Sequence, residues 1–244
     1  MEKSNIANWV RKGEIGILSI SNGKENYLNT PDFLNPDALK KWTSEDNLKG
    51  IIITGAGRNF SAGADMKNLK ALVEDEIILN EKMNEGKAIL DFIEDLDIPV
   101  ISAINGICFG GGLEIALASH MRICSPKALF AFPEINHGII PGLGGTYRLT
   151  QLIKKGTYEI LLNGDMMNAG KAKEIGLTDY ISESKDSMEL AMDKLENMIK
   201  DRSIEVIRSA MKAIKNSKIL DKNEALKSET ELFCKLAVNV KPLQ

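Results

Sequence analysis

The stretch PVISAINGICFGGGLEIALAS, residues 99–119, contains a strand, a glycine turn and a helix in immediate succession. Residues 99–104 carry the continuous apolar run Val100-Ile101, as expected of a strand covered on both faces. Residues 111–119 read as a helix in which Leu113, Ile115, Ala116, Leu117 and Ala118 are apolar nearly all round, so it belongs in the core. Between the two, Phe109-Gly110-Gly111-Gly112 wastes backbone entropy unless the chain bends sharply or lies against something there. Gly111 offers a bare N–H at the helix start, where the helix dipole favours negative charge. The spacing is not GxGxxG, so this is not a dinucleotide fingerprint.

Further strands are predicted at residues 16–20, 50–54 (with Ile51-Ile52-Ile53) and 121–124. A long helix is predicted over 74–96, where Leu79, Met83, Gly86, Leu90 and Ile93 keep one stripe until Pro99 stops it. Strands separated by helices imply right-handed β-α-β crossovers and an α/β core. After Tyr180-Ile181 the chain turns helical. Asp186-Ser187-Met188-Glu189 reads as a capping box, with Met188, Ala191, Leu195 and Met198 following at helical spacing. Helices over 203–215 and 223–236 complete the tail. The expected division is a core over 1–180 and a helical region over 181–244, packed on the core or on a neighbouring subunit.

The 244 residues are 43% hydrophobic and 27% charged, which places the chain among globular proteins. The formal net charge of −3 gives no electrostatic reason to expect nucleic acid. No apolar run reaches the roughly 20 residues of a membrane span, and residues 1–13 lack the apolar segment of a secretory signal. Cys108, Cys124 and Cys234 lack CxxC spacing and read as reduced thiols of a cytoplasmic protein that binds no metal.

Two turns and two acids carry the chemistry. Ala62-Gly63-Ala64 follows a buried strand and the turn Gly55-Ala56-Gly57-Arg58-Asn59; small residues there let a ligand approach the main chain. Glu114, on the first turn of the apolar helix, is costly to bury without a role or a partner, the plain alternative being a buried ion pair. Glu134 follows Phe130-Ala131-Phe132-Pro133, with Gly138, Pro141, Gly142, Gly144 and Gly145 soon after. An acid in so apolar a setting has reason to hold its proton and donate it, the plain alternative being a solvated loop carboxylate. Glycine-lined N–H groups stabilise an oxyanion, and paired carboxylates move protons beside it, which together suit an activated carbonyl such as a thioester.

These segments resemble the crotonase superfamily, the enoyl-CoA hydratase/isomerase family. The resemblance rests on Gly-Arg-Asn-Phe-Ser-Ala-Gly-Ala-Asp at 57–65 and Ile-Asn-Gly-Ile-Cys-Phe-Gly-Gly-Gly-Leu-Glu at 104–114. It continues in Phe-Pro-Glu at 132–134, Gly-Ile-Ile-Pro-Gly-Leu-Gly-Gly-Thr-Tyr-Arg-Leu at 138–149 and Asn-Ala-Gly-Lys-Ala-Lys-Glu-Ile-Gly-Leu at 168–177. It implies an α/β fold, a β-β-α spiral core with a C-terminal helical region, assembled as a homotrimer or a dimer of trimers. It also implies that the N–H groups of Ala64 and Gly111 form an oxyanion hole, and that Glu114 and Glu134 are the catalytic pair. Ala62, Asp65, Met66 and Lys67 would line the CoA site, Lys67 as a diphosphate contact. The substrate would be an acyl-CoA or acyl-carrier-protein thioester, with no cofactor, no metal, no nucleic acid and no membrane.

The sequence departs from the pattern of the family it resembles at residues 26–49, which keep only a piece of the usual first helix around 37–42, and in stopping at Gln244, soon after Phe233, where many relatives carry one more helix. His120 replaces the usual aspartate and reads as a packed structural histidine; His137 reads as a partly exposed loop residue. Retention of both glutamates favours a hydratase. The competing readings are an isomerase or decarboxylase of a biosynthetic, carrier-protein pathway, and a non-catalytic crotonase-fold binding protein.

Overall fold

The computed structural model describes residues 6–184 and 186–238. The expectations for residues 1–5, Lys185 and the last six residues lie outside these. In chain order come β1 (Ala7–Lys12), β2 (Ile15–Ile20), α1 (Pro36–Thr43), β3 (Gly50–Gly55), α2 (Met66–Leu72) and α3 (Glu76–Glu94). Then follow β4 (Val100–Ile104), β5 (Ile107–Phe109), α4 (Gly111–Ala118), β6 (Met121–Cys124), β7 (Leu129–Ala131) and a 3-10 helix at Pro133–His137. The chain continues with α5 (Gly145–Leu152), α6 (Thr157–Asn163), β8 (Met167–Asn168), α7 (Ala169–Glu174) and β9 (Tyr180–Ile181). The tail is α8 (Met188–Ile199), α9 (Ile204–Ile219) and α10 (Lys222–Ala237).

A six-stranded sheet runs β1-β2-β3-β4-β6-β9, and a small second sheet runs β5-β7-β8. In the large sheet only β1 is antiparallel to its neighbour; β2, β3, β4, β6 and β9 are parallel. All five residues of β4 are buried, and so are Gly50 through Thr54 of β3, which is why both read as unbroken apolar runs. All eight residues of α4 are buried, Glu114 included. The spiral α/β core and its helical C-terminal region are thus present.

Several elements escape the hydrophobic pattern. In β1 exposed residues alternate with partly buried ones, as suits the edge of a sheet, so it gives no apolar run. Helix α2, seven residues long, is set by Asp65, whose Oδ1 accepts the Lys67 N–H at 2.9 Å. The box at Asp186 works through Asp186 itself, whose Oδ1 accepts the Met188 N–H at 2.9 Å. α8 packs on β3 and β4, whereas α9 and α10 pack mainly on each other and leave Val206, Ile214, Ile219, Leu226 and Phe233 exposed. His120 is structural, as expected: its Nδ1 accepts the Val100 N–H at 2.9 Å, and its Nε2 meets the Glu94 carbonyl at 3.1 Å.

The loop at residues 61–64 is stitched to its surroundings by main-chain bonds. Ser61 pairs with β5, donating to the Ile107 carbonyl at 3.1 Å and accepting the Phe109 N–H at 2.9 Å. On its other side the Gly63 carbonyl accepts the Leu28 N–H at 2.8 Å, and the Asp65 N–H reaches the Leu28 carbonyl at 3.0 Å. The start of α4 presses against this loop. A Cβ at Gly112 would come within 2.6 Å of the Ser61 carbonyl oxygen and 2.7 Å of the Ser61 Cβ. Helix propensity alone favours Gly112→Ala by ~1 kcal/mol. The close approach reverses that sign, since overpacking against main chain typically costs about 1–3 kcal/mol. Gly112→Ala is therefore expected to lower Tm in thermal denaturation, by roughly 2–4 °C for each net kcal/mol lost. An unchanged or raised Tm would show that the helix does not depend on this contact.

Candidate active site

An apolar cavity of about 230 Å³ opens beside the start of α4. Leu28, Leu69, Val73, Leu79, Met83, Ile139, Ile140 and Leu143 supply most of its wall, and Ala64, Asp65, Gly111, Glu114 and Glu134 also line it. A broader depression of about 870 Å³, rimmed by Lys154, Lys155, Glu159 and Glu174, holds neither Glu114 nor Glu134. Ala62, Met66 and Lys67 do not line the cavity, and the Ala62 N–H is used by the Glu25 carbonyl at 2.8 Å. Asp65 reaches the cavity, but its carboxylate caps α2.

Two main-chain turns meet at the cavity. A Cβ at Gly63, where φ is +82°, would lie 2.6 Å from the Phe109 carbonyl oxygen and 3.1 Å from the Gly111 nitrogen. Glycine is required there both for the left-handed backbone and for the contact. Among the described residues, the N–H groups of Ala64 and Gly111 have no hydrogen-bond partner. Gly111 heads α4, so its free N–H also sits at the positive end of that helix. The strained residue of the glycine run is Gly110, with φ +48°, where a Cβ would come within 2.7 Å of Glu134 Oε1.

Both acids hold their protons to unusually high pH. Burial pushes Glu114 up to about 7, against the lowering pull of the Gly145 and Leu143 N–H groups and of the Arg148 charge. Those N–H groups both donate to Glu114 Oε1, each at 2.7 Å. Glu114 makes no ion pair among the described residues, because Arg148 pairs with Asp91 and Glu94. Glu134 is also pushed up to about 7, by burial first and by the negative charge of Glu114. Its Oε2 is buried with no protein hydrogen-bond partner. Glu134 stands on the 3-10 helix, where the neighbouring His137 is exposed.

Two participants escape a reading by residue type. Leu143 and Gly145 act through main-chain N–H groups, and only the glycine-rich character of 138–145 hints at them. Among the described residues no three His, Cys, Asp or Glu side chains cluster as metal ligands, and no helix is long and apolar enough to cross a membrane.

The family model for enoyl-CoA hydratase/isomerase matches residues 32–241. The chain is 32% identical over 243 residues to the short-chain-enoyl-CoA hydratase of Clostridium acetobutylicum, covering 96% of this chain and 89% of that one. Among solved structures, an enoyl-CoA hydratase from Bacillus anthracis superposes with a TM-score of 0.86 at 29% identity, covering 97% of this chain and 92% of that one. One from Thermoplasma volcanium gives 0.83 at 27%, with 97% and 94% covered. The spiral core, the glycine turns and these matches agree, and the chain belongs to the enoyl-CoA hydratase/isomerase family.

Proposed function

We propose that the protein is an enoyl-CoA hydratase, adding water reversibly and in the syn sense across the double bond of a 2-enoyl thioester. The observation that carries this reading is the meeting, in one apolar cavity, of two glutamates raised to about 7 and two main-chain N–H groups without partners. The N–H groups of Ala64 and Gly111 would bond the thioester oxygen as it gains charge, where preorganised donors count most. Ala62, Met66 and Lys67, outside the cavity beside these residues in the chain, would meet the CoA portion.

The surroundings of the acids suggest a division of labour. Glu114, gripped by two N–H groups and drawn down by Arg148, has the surroundings that steady a carboxylate and serves as the base. Its carboxylate takes a proton from water as the water oxygen bonds to Cβ. The double-bond electrons move toward the carbonyl, forming an enolate whose oxygen rests on the two N–H groups. Glu134, with an unpartnered oxygen and the Glu114 charge opposing its ionisation, serves as the acid and protonates Cα. Water thus adds as a proton at Cα and a hydroxyl at Cβ, and the enzyme has moved one proton from Glu134 to Glu114. An isomerase or decarboxylase needs the hole but not both acids, and a binding protein needs neither.

The exposed apolar residues of α9 and α10 support assembly through the tail, and we propose a homotrimer or a dimer of trimers. Sedimentation at micromolar concentration is expected to give three or six chains; a monomer alone contradicts the proposal.

Glu114→Gln and Glu134→Gln are each expected to keep the fold and lose about 10²–10⁴-fold in hydration of crotonyl-CoA, followed by the enoyl absorbance. In the unsubstituted protein kcat/KM should fall on both sides of neutrality. Below it Glu114 is protonated and cannot take a proton; above it Glu134 is ionised and cannot give one. The two limbs belong to the coupled pair rather than to either residue alone. Near-normal rates in both variants, or a flat profile from about pH 5 to 9, would refute the hydratase reading.

A further inference from the structure

Arg148 on α5 does not line the cavity, yet its side chain is only 5% exposed. Its Nη1 donates to the Leu143 carbonyl at 2.8 Å. Its Nε donates to Glu94 Oε2 at 2.8 Å, and its Nη2 to Asp91 Oδ1. Asp91 and Glu94, three residues apart on α3, lie on one helix face and grip the guanidinium from the same side. A Cβ at Gly144, where φ is +95°, would come within 2.5 Å of Arg148 Nη1, so the guanidinium packs directly under the turn at residues 143–145. That turn supplies both N–H groups that hold Glu114 Oε1.

We propose that Arg148 is a positioning residue for Glu114. It fixes the turn that grips the carboxylate, and it places beside that carboxylate a positive charge whose strength Asp91 and Glu94 set. Three features carry this. The planar fork of an arginine reaches the Leu143 carbonyl and two acids from three separate nitrogens, whereas an ammonium must donate from a single point. The charge lies behind the turn, so it acts on Glu114 without forming an ion pair that would block the side facing the cavity. Its two acidic partners are in contact with solvent, with the side chains of Asp91 67% and Glu94 47% exposed, so they temper the charge rather than neutralise it in a dry site. Among the described residues the remaining charged group facing Glu114 is Glu134, from the 3-10 helix, and α4 carries no other ionisable side chain.

The role of Glu114 as base rests on the hydratase reading, so the test reads its protonation directly. In a Glu134→Gln background a single glutamate remains in the cavity. Its titration is followed by difference infrared spectroscopy of the carboxyl band, assigned by loss of that band in Glu114→Gln/Glu134→Gln. Adding Arg148→Met is expected to move the midpoint up by about one pH unit, because a nearby opposite charge is lost. Adding Glu94→Gln instead keeps the fork bonded but removes an opposing charge, and is expected to move the midpoint down by ~0.3 unit. An arginine that merely holds the fold would lower kcat at every pH and leave both midpoints in place. A folded Arg148→Met protein with an unmoved midpoint overturns the proposal, as does a Glu94→Gln midpoint that stays or rises. If circular dichroism shows Arg148→Met unfolded, the half-exposed Glu94→Gln decides alone. Shifts as expected in a protein that does not hydrate crotonyl-CoA would uphold the placement of Arg148 while refuting the hydratase reading.

Discussion

The site depends on one steric constraint, the contact of the loop at residues 61–64 with the first turn of α4. Gly63 leaves no room for a Cβ against the Phe109 carbonyl, and Gly112 leaves none against Ser61. Each glycine gives up entropy in the unfolded chain and, in α4, helix propensity as well. What the contact provides is two unpartnered N–H groups side by side, on main chain that cannot drift because ladder bonds to β5 and Leu28 fix it. An oxyanion hole made of backbone needs that rigidity, since its donors act only when already aimed.

The same helix start sets the position of Glu114. Glu114 follows Gly111 by three residues, so one rigid turn carries both a free N–H and a carboxylate. Burying that carboxylate is unfavourable, and the fold answers with two N–H bonds from the 143–145 turn rather than with an ion pair. A direct Arg–Glu pair would hold the carboxylate ionised and too weakly basic to accept a proton near neutrality. Two N–H groups and a charge set one layer back leave it near 7. Glu134, also near 7, has a buried oxygen without a protein partner and the Glu114 charge against its ionisation, so the two carboxyls stand in unlike surroundings.

Legibility followed the physics of each element. β3, β4 and α4 were readable because burial on all sides leaves only apolar residues to choose from, and α3 because its stripe is long. β1 was not, because an edge strand exposes alternate residues; β5, β7, β8 and β9 were not, because runs of two or three residues are held by their neighbours rather than by their own pattern. In the site, Glu114 and Glu134 stand out as acids in apolar surroundings. The donors to Glu114 do not, because any residue has an N–H and these come from 29 and 31 residues away. Nor does local pattern show that Arg148 bonds Asp91 and Glu94, more than fifty residues earlier, instead of the glutamate it serves.

The proposed mechanism requires that the Ala64 and Gly111 N–H groups together polarise a thioester carbonyl. It is tested most directly by the vibrational spectrum of crotonyl-CoA bound to Glu114→Gln/Glu134→Gln, in which the hole is intact and the substrate survives. The thioester carbonyl band is expected to move to lower frequency on binding, and Gly111→Val in the same background to reduce or remove that shift. A carbonyl band of the bound substrate that stays at its position in water would contradict it.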